Sequence, residues 1–195
     1  MLVSCFVVAA VAGEYNPTLS VGDRAPAWNK IDGTDGKPHS LDDLKSFEII
    51  VVYFTSNTCP YAIDYDNRVN NLVKEFQQHN IAVVAINSNQ GDAESLESMK
   101  KHALDAKFQH VYLKDESQSI AKSYGATYTP EFFVINKDRK IVYMGALDDS
   151  SDPQKVQIHY AANAIQGLLA DHSIEVTETP AVGCTIRYKR TRRQK

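Results

Sequence analysis

The sequence predicts an α/β fold with a central mixed β-sheet, flanking helices and a short hairpin ahead of the sheet. Residues 49–54 and 81–86 are uninterrupted apolar runs, which are typical of strands buried on both faces. A segment with helical periodicity follows each run, as expected for parallel strands joined by helices. Residues 132–135 and 141–144 flank a turn and predict an antiparallel pair, so the sheet should be mixed.

Composition and charge are those of an ordinary globular protein. With 195 residues, the chain fits one domain with a full core. Its net charge of -3 gives no general reason to expect a nucleic-acid partner. The three cysteines, Cys5, Cys59 and Cys184, lack metal-site spacing, and no glycine-rich phosphate loop is present. We therefore expect neither a metal nor a cofactor.

The N-terminal segment favours export. Residues 2–12 are apolar but too short to span a bilayer as a helix, and they end in Ala-Val-Ala, a small-x-small cleavage pattern. We interpret residues 1–12 as the signal segment of a periplasmic or other extracytoplasmic protein. The LVSC stretch also resembles a lipoprotein box with Cys5 as the lipidated residue, which would anchor the protein to a membrane. If residues 1–12 are instead a buried strand, the protein is cytoplasmic.

The main domain is assigned to residues 14–172. Its first part, residues 14–48, is rich in turn signals and contains two Asp-Gly pairs, which predict the hairpin ahead of the sheet. A helical turn is expected at residues 40–44, and a short strand at residues 111–113.

Apolar residues at spacings of three and four predict the helices. They cover residues 60–78, 93–104 and 117–124, and a last helix begins at Asp152-Pro153, a pair that suits the N-cap and the first helical position. The core stripe of the first helix is Val69, Leu72, Val73 and Phe76. The core stripe of the last helix is Ala161, Ala164, Ile165 and Leu168.

Residues 173–195 form a C-terminal tail of different character. The tail carries Cys184 and ends in a basic stretch, residues 187–195. We interpret the basic end as a solvated terminus, and an anion- or membrane-binding arm is the alternative. The tail can fold back across the domain only if its apolar residues find a groove. Those residues are Ile174, Val176 and Val182.

A cysteine stands where the first long strand gives way to a helix. Pro60 suits the first helical position, because its missing N–H would be unpaired there anyway. Cys59 should therefore occupy the N-cap, beside free backbone N–H groups and the positive end of the helix dipole. That position favours the thiolate, which is the nucleophilic form. We predict a reactive, partly exposed Cys59; the alternative is a small buried cysteine.

Two stretches carry a resemblance to a known family. They are FTSNTCPYA, around Cys59, and YGATYTPEFFVI, in which Thr129-Pro130 leads into a strand. Together they resemble the thioredoxin superfamily, and more closely its redoxin branch of peroxiredoxin-like, alkyl hydroperoxide reductase-related proteins. VGDRAPAW, AINSNQ and YMGALDDS match the same branch, and VGCTIRYK resembles the tail of a peroxiredoxin-like subgroup. The resemblance covers about residues 20–190 and implies a thioredoxin-like fold.

The resemblance also implies a redox site in which Cys59 is the nucleophile and Pro130 is a cis-proline facing it. A cis bond would let Thr129 present its N–H and C=O to an extended substrate beside the sulfur. Ala62 replaces the second cysteine of thioredoxins. Peroxiredoxins place a proline seven residues before the cysteine and a threonine or serine three before it, and only Ser56 is kept. Ser56 would hydrogen-bond the thiolate or a peroxide oxygen, unless it is simply a turn serine.

Peroxiredoxins also place an arginine against the thiolate. Arg68 is the nearest in sequence, but it lies about 13 Å further along the helix. An ion pair with Asp64, four residues earlier, is the simpler interpretation of Arg68. Arg139 falls on the hairpin turn and is expected to be solvated. No histidine lies near Cys59 in sequence, so no histidine general base is assigned.

These residues predict a thiol-based oxidoreductase with antioxidant activity, in which Cys59 attacks a disulfide or a hydroperoxide. Ala62 cannot resolve the product, so Cys184 is the candidate resolving cysteine; otherwise Cys184 is a packed structural residue and an external thiol resolves Cys59. The implied partners are a protein or small-molecule disulfide or hydroperoxide and an external thiol reductant. The alternative is a non-catalytic redoxin-fold module that binds protein partners through the groove next to Pro130.

Overall fold

A five-stranded mixed sheet forms the centre of the protein. The computed structural model describes residues 13–189, so the proposed export segment, Cys5 and the last six residues of the basic end lie outside the described part. The strands are β1 (Ile31–Asp32), β2 (Pro38–His39), β3 (Ile49–Thr55), β4 (Ile81–Asn87), β5 (Val111–Lys114), β6 (Tyr128–Thr129), β7 (Glu131–Ile135), β8 (Ile141–Gly145) and β9 (Cys184–Thr185). The helices are α1 (Pro60–Glu75), α2 (Leu96–Asp105), α3 (Ser119–Tyr124) and α4 (Tyr160–Leu169).

The strand order of the central sheet is β5-β4-β3-β7-β8. Strands β3, β4 and β5 are parallel, whereas β7 is antiparallel to β3 and β8 is antiparallel to β7. The short antiparallel pair β1–β2 precedes them. The predicted α/β class, mixed sheet and N-terminal hairpin are therefore confirmed.

Strand β3 is buried along its whole length because apolar layers cover both of its faces. On one face, Ile50, Val52 and Phe54 join a cluster that includes Trp28 and Tyr124. On the other face, Val51 and Tyr53 pack with the apolar stripe of α1 and with α4. Burial on both faces therefore explains why the sequence of β3 is apolar without a break, as predicted.

The helices differ from the sequence prediction mainly at their ends. Helix α1 ends at Glu75 rather than at residue 78, and its stripe packs as predicted, with Val73 only partly buried. The segment predicted as one helix over residues 93–104 is divided at Ser95. This residue ends a short 3₁₀ turn, Asp92–Glu94, and begins α2 by accepting a hydrogen bond from the Ser98 N–H at 3.3 Å.

The predicted start of the last helix was wrong. Asp152 and Pro153 form a turn, in which the Asp152 side chain accepts from the Gln154 N–H at 3.0 Å and the Asp152 carbonyl accepts from the Lys155 N–H at 3.0 Å. Asp-Pro therefore begins a turn here, a role that suits this pair equally well. Helix α4 begins at Tyr160, and its predicted apolar stripe is confirmed.

The C-terminal tail folds back over the domain. Its Thr177 carbonyl accepts from the Met144 N–H, and its Thr179 N–H donates to the Met144 carbonyl, each at 3.1 Å, so it runs along the open edge of β8. Two of the three residues expected to anchor it, Val176 and Val182, are instead 40% and 53% exposed. The tail is anchored by Ile174, Ile186 and Tyr188, which pack against the two apolar clusters.

No helix in the described range is long and apolar enough to cross a membrane.

Candidate active site

Cys59 lies at the junction predicted for it, at the N-cap of α1 with Pro60 at the first helical position. Its side chain is only 2% exposed, and its Sγ donates to the carbonyl oxygen of Thr129 at 3.1 Å. The prediction of a partly exposed thiol was therefore wrong. The cause is long-range packing, because Thr129 and the returning tail lie against the helix end.

The Thr129–Pro130 peptide bond is cis, as the resemblance implied, and Thr129 is the residue whose carbonyl faces Cys59. The next residue, Glu131, is buried, and its carboxylate accepts from the N–H groups of Thr127 and Tyr128 at 2.8 and 2.9 Å. Burial raises the pKa of Glu131 in spite of these hydrogen bonds. Glu131 thus holds the short segment that places Thr129 beside the sulfur.

Cys184 reaches the same place from the tail. Strand β9 pairs with β6 in antiparallel register, with Cys184 opposite Thr129, and the Thr129 hydroxyl donates to the Cys184 carbonyl at 3.3 Å. The Cys184 thiol therefore lies near the Cys59 sulfur and near the backbone N–H of Tyr61 in the first turn of α1, close enough for both to affect its pKa. Both cysteines are free thiols. The structure therefore brings together two thiols that are 125 positions apart in sequence (184 − 59 = 125).

The surroundings of Cys184 disfavour its thiolate. Burial, followed by the hydrogen bond and the charge of Cys59, raises the pKa of Cys184 to about 11. The Tyr61 N–H and the charge of Arg187 act in the opposite direction but are outweighed.

Gly183 allows the close approach of the tail. A Cβ atom at this position would overlap the carbonyl group of Thr129, so a larger residue would push β9 away from β6. On the other side of the pair, the Ile186 N–H donates to the Thr127 carbonyl at 2.9 Å, and Ile186 is buried.

A buried carboxylate that the sequence did not reveal holds the turn before Cys59. Glu94 accepts from the hydroxyls of Ser56 and Thr58 at 2.7 and 2.6 Å, from the Asn57 N–H at 3.0 Å and from the Asn87 amide at 2.6 Å. Burial opposes ionisation of Glu94, but these hydrogen bonds outweigh it and lower its pKa. The Ser56 hydroxyl thus donates to Glu94 rather than to the Cys59 thiolate or a peroxide oxygen.

The two arginines considered in the sequence have structural partners. Arg68 forms an ion pair with Asp148 instead of Asp64, and it also donates to the carbonyl oxygens of Ser150 at 2.9 Å and Ser151 at 3.1 Å. Its guanidinium is therefore bound to the loop after β8. Asp148 lies in the YMGALDDS stretch, which was noticed in the sequence only as a family match.

Arg139 is not simply solvated either. Its guanidinium donates to the carbonyl oxygens of Leu44 and Phe47, each at 3.0 Å, and so ties the β7–β8 turn to the segment ahead of β3.

Between residues 13 and 189, no three His, Cys, Asp or Glu side chains group in a way that could hold a metal ion.

This arrangement, a free cysteine at the N-terminus of the helix after the central strand and a cis-proline facing it, defines a thioredoxin-like redox protein. The family model for redoxins matches residues 20–162, and the chain belongs to the redoxin family. A search of curated proteins returned no match.

Solved structures share this fold. An uncharacterized conserved protein from Geobacillus kaustophilus is 31% identical, with a TM-score of 0.84, and the match covers 91% of this chain and 96% of that one. A hypothetical protein from Sinorhizobium meliloti 1021 is 30% identical, with a TM-score of 0.83 and coverage of 89% and 97%. Peroxidoxin BcpB from Mycobacterium tuberculosis is 23% identical, with a TM-score of 0.62 and coverage of 78% and 98%. This similarity is one of fold alone.

Proposed function

We propose that the protein is a two-cysteine oxidoreductase in which Cys59 is the nucleophile and Cys184 resolves its oxidised form. One geometric observation carries the proposal: β9 places Cys184 opposite Thr129, whose carbonyl oxygen is 3.1 Å from the Cys59 Sγ at the N-terminus of α1, beside cis-Pro130. Membership of the redoxin family supports a thioredoxin-like redox role. The fold likeness to a peroxidoxin agrees in kind with a peroxide or disulfide substrate.

With a hydroperoxide, the Cys59 thiolate attacks one oxygen. The S–O bond forms, the O–O bond breaks, and the second oxygen leaves as an alcohol or water after it takes up a proton. The Cys184 thiol then loses its proton and attacks the Cys59 sulfenic acid. The S–S bond forms, the S–O bond breaks, and water leaves.

With a disulfide, Cys59 forms a mixed disulfide and expels one thiol, and Cys184 then expels the second thiol. Both routes end in the same Cys59–Cys184 disulfide. Two equivalents of an external thiol reductant then restore the dithiol. Cys184 is the more exposed residue of the pair, so we expect the reductant to attack its sulfur and release Cys59.

Peptide mapping under non-reducing conditions tests the proposal. Reduced full-length protein is offered hydrogen peroxide or a disulfide in separate experiments, and the Cys5 peptide is followed independently. We expect a 59–184 disulfide from either oxidant. Cys184→Ser should instead accumulate Cys59 sulfenic acid or the mixed disulfide, and Cys59→Ser should form neither while it keeps its fold. Stable Cys59 sulfenic acid with Cys184 still free in the parent, or turnover unchanged by Cys184→Ser, would contradict the resolving role.

The alternative of a non-catalytic module that binds partners through the groove next to Pro130 loses support, because the protein's own tail lies in that groove.

A further inference from the structure

The edge of β6 is the surface on which an extended peptide would add a strand. Thr129 carries the backbone groups next to the Cys59 sulfur, and added strands bind through such backbone hydrogen bonds. In this protein, β9 already pairs with β6, with Thr185 opposite Tyr128 and Cys184 opposite Thr129. The tail therefore presents Cys184 at the point where the cysteine of a bound peptide would lie.

Several contacts hold β9 in this position. Gly183 packs directly against the Thr129 carbonyl, where no side chain fits. Beyond β9, the buried side chain of Gln118 donates to the Arg187 carbonyl at 2.9 Å and accepts from the Lys189 N–H at 2.8 Å. These bonds fix the tail on the C-terminal side of β9.

The Tyr188 side chain adds a further anchor to the same stretch. Its hydroxyl donates to the Ala126 carbonyl at 2.5 Å, and its ring packs against the core cluster. An external peptide would have to displace this whole segment before it could pair with β6.

We propose that β9 is a built-in occupant of the peptide groove, so that Cys59 accepts small disulfides or hydroperoxides and excludes extended peptide disulfides. The inference rests on the proposed function and adds a substrate class to it. Cys59 is 2% exposed, so an extended peptide cannot lie against its sulfur while β9 is in place. The resolving cysteine and the barrier to peptides are thus two properties of the same tail segment.

Two disulfides of the same chemistry but different size test this. Reduced full-length protein is mixed with bis(2-hydroxyethyl) disulfide or with two extended peptides joined by one disulfide. Loss of the free Cys59 thiol is measured by acid quenching and mass spectrometry, and each rate is divided by the rate of free cysteine with the same probe. We expect the parent to prefer the small disulfide by about tenfold or more, which corresponds to about 1.4 kcal/mol.

Gly183→Val should displace β9 and raise the normalised peptide rate by about tenfold, with a much smaller effect on the small disulfide. Val182→Ala is the matched control, because the neighbouring Val182 is 53% exposed and its loss should leave the ratio of rates unchanged. If Gly183→Val does not fold, Gln118→Asn shortens the side chain that grips the tail at a position with φ of 60°, a conformation that Asn tolerates. Gln118→Asn, like Gly183→Val, should raise the peptide rate relative to the small-disulfide rate.

Equal normalised rates for the two probes in the parent, or a ratio of rates that neither Gly183→Val nor Gln118→Asn changes, would overturn the inference and leave the proposed function standing. If neither probe nor hydrogen peroxide consumes the Cys59 thiol in any variant, the proposed function fails and the inference falls with it.

Discussion

Cys59 and Cys184 both lie beside Thr129, yet their surroundings suit them to different steps. Cys59 occupies the N-cap of α1, at the positive end of the helix dipole. The pKa of Cys184 is raised to about 11, so its side chain is a protonated thiol at neutral pH. Because only the thiolate is nucleophilic, a protonated Cys184 fits the second step of the proposed sequence, in which it resolves oxidised Cys59 slowly.

The pH dependence of resolution follows from this assignment. Burial is the largest cause of the raised pKa of Cys184 and does not depend on the oxidation state of Cys59, so the thiolate fraction of Cys184 should rise about tenfold per pH unit between pH 7 and 9. We expect the rate of 59–184 disulfide formation, measured after rapid oxidation with excess hydrogen peroxide, to rise with nearly the same slope. A rate that is flat over this range would show that deprotonation of Cys184 does not limit the step.

Glu94 should control the stability of the turn that carries Cys59. In Glu94→Gln, a buried NH₂ group would face the donors on Asn57 and Asn87 or those on Ser56 and Thr58. We expect a loss of about 1–3 kcal/mol in the free energy of unfolding at neutral pH, measured in urea. Glu97→Gln is the matched control, because Glu97 is exposed on the neighbouring helix and its loss should have little effect.

The same pair of variants has a pH signature. The folded pKa of Glu94 is lowered, so its ionisation stabilises the protein above the unfolded value of 4.5 and ceases to do so as the pH falls through the folded pKa. The stability difference between the parent and Glu94→Gln should therefore shrink in acid. A difference that is constant from pH 7 to pH 3 would contradict the assignment of an ionised Glu94.

At the scale of elements, Gly145 joins the central sheet to the tail. It ends β8 with φ of 137°, and a Cβ atom there would overlap the backbone carbonyl of Thr179. Gly22 also has a positive φ, of 97°, but has open space around it. Gly22→Ala should cost about 1–2 kcal/mol in unfolding free energy for backbone strain alone. Gly145→Ala should lose about 1–3 kcal/mol more than Gly22→Ala, because its Cβ would overlap the tail. Urea denaturation measures both losses. Equal losses of unfolding free energy in the two variants would contradict the close packing of the tail on β8.

The elements that the sequence predicted well are those specified by local patterns. The buried run of β3 and Pro60 at the start of α1 lie within a dozen residues of each other, so the strand and the helix start could be predicted from the residues alone. The cis bond at Pro130 was instead implied by the family resemblance of the stretch around it. The start of α4 could not be predicted, because Asp152-Pro153 suits a turn as well as an N-cap. The choice between a turn and a helix start at Asp152 is made by hydrogen bonds that the sequence pattern does not reveal.

The remaining features of the site depend on contacts that are distant in sequence. Glu94 lies in the polar stretch GDAESLES, which indicates an exposed segment, and its burial depends on donors 36 to 38 positions earlier. The prediction that Val176 and Val182 anchor the tail failed for a similar reason. The apolar residues of the tail are scattered, and their spacing does not reveal which of them is buried. Neither feature could be derived from periodicity or capping.

At the scale of the whole molecule, the tail joins parts of the chain that lie far apart in sequence. Besides β6 and β8, it holds the first described residues, because the Glu178 carboxylate accepts from the N–H groups of Glu14, Tyr15 and Asn16 at 3.0, 2.7 and 3.0 Å. The chain just after the predicted cleavage position is therefore already fixed to the domain. Removal of residues 1–12 should not loosen it.

Export itself stays a prediction, and it determines the resting redox state. If residues 1–12 are removed after Ala12, the mature chain begins at Gly13, whose N–H donates to the Leu19 carbonyl at 2.9 Å. A charged amino group there would also lie beside the Glu178 carboxylate, so the mature form should unfold at a temperature no lower than the unprocessed form. Outside the cytoplasm, the Cys59–Cys184 pair should rest as a disulfide.

Fractionation of the native host, followed by intact mass measurement under non-reducing conditions, checks both parts of this prediction. We expect a protein that begins at Gly13, lies outside the cytoplasm and is two hydrogens lighter than the dithiol form, because forming one disulfide removes two hydrogens. A lipid-modified Cys5 would instead place the protein in the membrane fraction at a higher mass. Full-length protein in the cytosol with both thiols free would rule out export, and would mean that the disulfide forms only transiently during turnover.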